Sequence, residues 1–178
     1  MSQQEDTINS SEYNDEFDDF LTEIQKKNLR YAKYAFILAV MNYIIALFSP
    51  QIILLGESLV RLHLLDIYSL APDAGRRLFI LELMSIIFTT FNISIYHFNR
   101  PLQFEKVRLN STIAIGSASF AAIEILKFNT LSLNTIFSLE YVDYVSKLGL
   151  AFYALIFANF FVLAGIWTDK FLRMPKNK

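Results

Sequence analysis

Cysteine is absent from this 178-residue chain. That excludes disulfide staples, thiolate metal sites and cysteine nucleophiles. Histidine occurs twice, at His63 and His97; the orientation expected from Lys and Arg puts them on opposite sides of the membrane, so they are not expected to share a metal or to ligate a haem as a pair. With five glycines and four prolines, no Gly-rich phosphate loop forms, and neither HExxH nor GxSxG is present. No nucleophile–base set is visible, so no enzymatic activity is expected, and no cofactor is implied. Basic residues are missing from the start: eight acids precede Lys26, the first base. That acidic beginning fits neither a secretory signal peptide nor an Arg-rich mitochondrial presequence. No basic cluster interleaved with aromatics occurs, and direct nucleic-acid binding is not expected.

What the chain has is apolar length. Hydrophobic residues make up 54% of it, with 17 Phe, more than a soluble domain of this size usually carries. They concentrate in four runs, 34–55, 78–98, 111–128 and 148–167. Each is close to the roughly 20 residues a helix needs to cross about 30 Å of hydrocarbon. The expected fold is an all-α membrane protein with four transmembrane helices in a compact bundle over 34–168.

The flanks are polar. Residues 1–33 read as an acidic disordered tail followed by an amphipathic helix, with Phe17, Phe20, Leu21 and Ile24 at helical spacing. Residues 169–178 form a basic tail. Pro50 is expected to kink or end the first span and leave Gln51–Gly56 as a short interfacial piece. Glu57–Leu70 reads as a second amphipathic segment, Ala71–Gly75 as a turn, Phe104–Asn110 as a basic connector and Asn129–Ser146 as an irregular loop.

Orientation follows from Lys and Arg. The N-terminal flank, the second connector and the C-terminal tail carry 11 of them, against four in the other connectors. Both termini are therefore expected in the cytoplasm of a bacterial inner (plasma) membrane. Arg76 and Arg77 are the exception on the far side, and proximity to Glu82 accounts for them. The glycosylation sequons at Asn9 and Asn110 fall on the cytoplasmic side and are read as chance matches.

Lipid does not solvate polar side chains, so those inside the runs mark faces turned to protein or water. Glu82, Ser85, Thr89, Asn92 and Tyr96 fall within an arc of about 80° at 100° per residue. Glu124 and Lys127 are one turn apart and can pair. Glu82, Glu124 and Lys127 form an expected outer polar layer, and Asn42, Asn92 and Asn159 an inner one. At the inner boundary, His97 and Arg100 are read as interfacial anchors, with Arg100 placed to meet lipid phosphate. Small residues recur at four-residue spacing: Ala114, Ala118 and Ala122 in the third run, and Ala151, Ala154 and Ala158 in the fourth. They let helix backbones approach closely.

Two functions fit this pattern. If the Glu82 stripe is an interhelical seam, the chain is an accessory or structural subunit of a larger membrane-associated assembly. If the stripe lines a wet path, the chain is a homo-oligomeric channel or pore, in one version a regulated phage-defence effector. Only the outline, four short-looped spans, is similar to such small bacterial proteins. The expected partners are the lipid bilayer and either another protein or further copies of the same chain.

Overall fold

The computed structural model describes residues 23–55, 59–97, 104–131 and 145–172. The acidic tail before Glu23, Arg100 and the last six residues lie outside them. Five helices and three short strands follow in the order α1 (Glu23–Phe48), β1 (Ile52–Leu55), β2 (Leu59–Leu62), α2 (Leu64–Leu70), α3 (Pro72–His97), α4 (Phe104–Leu131), β3 (Val145–Leu148) and α5 (Leu150–Leu172). The four long helices are apolar and long enough to cross a membrane, which makes this a mostly helical, multi-pass membrane protein.

The heaviest helix packing joins α1 to α5, α3 to α4, α1 to α3, and α4 to α5. Small residues sit at these contacts. Ala114, Ala118, Ala121 and Ala122 of α4 are buried, as are Ala151, Ala154 and Ala158 of α5 and Ala39 and Ala46 of α1. Gly165 meets the Phe36 ring so closely that a Cβ there would press into it. Large apolar side chains point outward instead: Phe160 is 66% exposed, Trp167 65% and Phe120 63%. Such an inverted surface suits lipid, where burying leucine against leucine gains little and close packing holds helices together. Hydroxyls on the outer faces are satisfied locally. Thr90, Ser94 and Thr112 each donate to the carbonyl four residues earlier in their own helices, which lets them face hydrocarbon.

The all-α expectation omits a small sheet. The strand order is β2–β1–β3, and both pairings are antiparallel. The first span was expected to reach Leu55, but α1 stops at Phe48. Pro50 supplies no N–H and would clash with a carbonyl one turn back, and the chain turns out of the helix there. Ile52–Leu55 then becomes the central strand, with Ile52 opposite Leu62 on one side and Leu148 on the other. A short, uniformly apolar run is equally consistent with a buried strand and with the end of a helix. The same pairing takes Leu148 out of the fourth span, and α5 begins at Leu150. It also takes Leu59–Leu62 out of the second amphipathic segment and Val145–Ser146 out of the irregular loop.

Other boundaries move outward. The segment Ala71–Gly75 was read as a turn, but Pro72 opens α3. Proline at the first helical position loses no intrahelical bond, because that N–H has no partner in any case. Asp73 adds a favourable charge to the first turn. Phe104–Asn110, read as a connector, forms the first two turns of α4. Glu23–Lys33 is continuous with the first span.

Glycine fixes two close approaches. At Gly149 a Cβ would collide with the Pro50 carbonyl. There the Gly149 N–H donates to Gln51 O at 2.9 Å, and the Ala151 N–H to Pro50 O at 3.1 Å. At Gly75 a Cβ would strike the Tyr68 backbone, where α2 folds back on α3.

Candidate functional site

The polar stripe of α3 faces inward along its whole length. Glu82, Ser85, Thr89, Asn92 and Tyr96 are all buried. The reason is local: these five share one face of the helix, and the other faces are mostly apolar and more exposed, with Thr90 and Ser94 bonded back to their own helix. Because α3 starts at Pro72 rather than Leu78, Glu82 lies about 15 Å along the helix, deeper than the sequence boundary implied.

Glu82 is 0% exposed, and its partner is Gln51, also 0% exposed. Gln51 Nε2 donates to Glu82 Oε1 at 3.2 Å and to the Ala46 carbonyl at 3.2 Å. Below this pair, Ser85 Oγ lies 2.9 Å from Leu81 O in its own helix and 3.2 Å from Ala114 O across the α3–α4 contact. Asn92 Nδ2 donates to Ser111 Oγ of α4 at 2.8 Å. Tyr96 stacks on Phe36 of α1, with ring centroids 5.6 Å apart. Among the described residues no donor reaches Glu82 Oε2, Gln51 Oε1, Thr89 Oγ1 or Asn92 Oδ1.

The outer polar layer expected of Glu82, Glu124 and Lys127 does not form as one unit. Glu124 accepts from Lys127 at 3.2 Å and from Arg77 at 3.3 Å, on a rim where Arg77 and Lys127 are more than half exposed. Glu82 takes no part in it. Arg77, expected beside Glu82, serves Glu124 because the two project from the facing helices α3 and α4. Arg76 is exposed.

The asparagine layer also divides. Asn92 belongs to the α3–α4 contact. Asn159 of α5 accepts from the Tyr43 hydroxyl at 2.7 Å and donates to Ser119 Oγ at 3.4 Å, which links α1, α5 and α4. Asn42 donates to Leu38 O within its own helix and bridges nothing. At the opposite end, Lys33 Nζ lies 3.2 Å from His97 Nδ1, joining α1 to the last turn of α3.

Gln51, Tyr43, Ser111 and Ser119 were not singled out from sequence. Gln51 had a signal: it is the one polar side chain between Pro50 and Gly56 in an otherwise apolar run. The two serines had none beyond their type, since hydroxyls also bond within their own helices. Among the described residues no group of three or more His, Cys, Asp or Glu gathers to hold a metal ion. No family model matches the chain, and the comparisons with curated proteins and with solved structures find no match to it either.

Proposed function

We propose that this chain is a non-enzymatic accessory or structural subunit of a larger membrane-associated assembly. In this reading it sits as a compact four-helix bundle in a bacterial inner membrane, with both termini cytoplasmic. The observation that carries it is the use made of the polar stripe. Three of its members meet neighbouring elements: Glu82 accepts from Gln51, Asn92 donates to Ser111, and Ser85 Oγ lies within reach of Ala114 O. Polar groups bonded across helix contacts act as adhesive between helices. The outward faces carry large apolar side chains and self-satisfied hydroxyls, which suit contact with lipid or with another apolar helix. The acidic segment before Lys26 and the bases that follow it offer charged surfaces for a protein partner.

The alternative is a homo-oligomeric channel or pore. Its support is the unsatisfied Thr89 Oγ1 and Asn92 Oδ1, which water in a path would satisfy. Solubilising the full chain under mild conditions from its native membrane separates the two. Co-purification of a different protein in fixed ratio supports the subunit. A ring of identical copies that releases ions from liposomes overturns it in favour of the pore.

A further inference from the structure

The Glu82–Gln51 pair has an arithmetic of donors and acceptors that the seam reading leaves open. The Gln51 amide has two N–H bonds, and both are used, one on Glu82 Oε1 and one on Ala46 O. Both targets accept only, so the amide cannot be turned over: its oxygen would then face two oxygens. Gln51 Oε1 and Glu82 Oε2 are left buried without a partner among the described residues. An ionised carboxylate offers acceptors only, and the amide has no hydrogen left to give. A buried acceptor without a donor costs about 1–3 kcal/mol, and more when it carries charge.

We propose that Glu82 and Gln51 form a proton-binding site, in which one proton on Glu82 Oε2 is donated to Gln51 Oε1. The carboxylic acid and the primary amide then satisfy each other, each donating once and accepting once. A single proton removes two buried orphans and the charge together. A hard metal cation fits less well, because it takes about six or more oxygen ligands and this pair leaves two spare. Gln51 stands at the junction of α1 and β1, with its N–H on Leu62 O and its carbonyl on Gly149 N–H. Glu82 stands inside α3. The shared proton therefore latches the sheet to the spans. Its loss leaves a carboxylate beside an amide oxygen in a buried setting and loosens that end.

Among the described residues, the other titratable groups around this end are engaged elsewhere or exposed. Asp73 and Arg76 of α3 are exposed, and Arg77 holds Glu124 of α4. Tyr43 of α1 bonds Asn159, and Tyr153 of α5 is exposed. Arg61, His63, Asp66 and Lys147, in and beside the strands and α2, are all exposed.

Thermal unfolding of the purified full chain in detergent, across a pH series, tests the site. Glutamine copies the protonated acid in shape and in donor count. Glu82→Gln is expected to match wild type at acid pH and to lose the part of the wild-type midpoint that falls as pH rises. Gln51→Leu is expected to lower the midpoint throughout. Infrared spectra of the wild type give a reading without any substitution: at neutral pH, where exposed carboxyls are ionised, the carbonyl band of a protonated carboxyl is expected, fading at alkaline pH and missing at neutral pH in Glu82→Gln. The proposal is overturned by absence of that band, by a Glu82→Gln protein less stable than wild type at every pH, or by identical pH profiles. It is also overturned if sodium or lithium chloride stabilises wild type more than choline chloride does, with the difference lost in Glu82→Gln; that result assigns the site to a metal cation.

Discussion

Glu124 is held by two flexible cations, Arg77 and Lys127, whose side chains are 57% and 58% exposed. Pairs of this kind contribute about 0–1 kcal/mol, because water and salt screen them and ordering long side chains costs entropy. Glu124→Gln is therefore expected to shift thermal unfolding little, with the shift shrinking as salt is added. Ser111 differs. It is buried, and its hydroxyl is the acceptor for Asn92 Nδ2. Interhelical bonds in membranes average about 0.6 kcal/mol, but Ser111→Ala also leaves the amide donor with no acceptor, which raises the cost to about 1–3 kcal/mol. The same unfolding assay ranks the two: Ser111→Ala must lose more than Glu124→Gln, and the reverse order would show that the rim pair rather than the interior bond holds α3 to α4.

At the scale of elements, the join between the sheet and α5 turns on one glycine. Gly149 lets the start of α5 lie against Pro50 and Gln51. A methyl group there must push the Pro50 carbonyl away and break its bond from the Ala151 N–H. Gly149→Ala is expected to lower the unfolding midpoint by an amount typical of overpacking, about 1–3 kcal/mol. It is also expected to free the slow-exchanging amides of β1, which hydrogen exchange reads directly; unchanged protection in β1 would count against this contact as the sheet's anchor. The helices of this fold were legible from run length, and the inward face of α3 from the spacing of five polar residues. The strands were not. Ile52–Leu55 and Val145–Leu148 have no alternation, and pairing distant segments leaves no local periodic mark. Pro72 misled for a related reason, since proline marks helix starts as well as turns. Glu82 was legible as a residue that must face inward. Its partner was not, because Gln51 reaches it only after Pro50 turns the chain out of α1.

At the scale of the molecule, the lack of cysteine makes the proposed orientation simple to check, because any introduced thiol is unique. Arg61 in β2 and Glu105 in the first turn of α4 are exposed at opposite ends of the helices. With both termini cytoplasmic, a membrane-impermeant maleimide reaches Arg61→Cys in intact cells and Glu105→Cys only after permeabilisation; the opposite pattern inverts the topology. The pairing of β1 with β3 also bears on how the chain is made. These strands are separated in sequence by α3 and α4, and α1 finds its largest packing partner in α5, the last helix. A nascent chain can close the β1–β2 hairpin early. The other edge of β1, and the face of α1 that carries Ala39, Tyr43 and Ala46, stay uncovered until β3 and α5 have left the translocation machinery. Translation that halts before Val145 therefore releases a product with an open strand edge and a bare helix face, features that invite pairing with other chains.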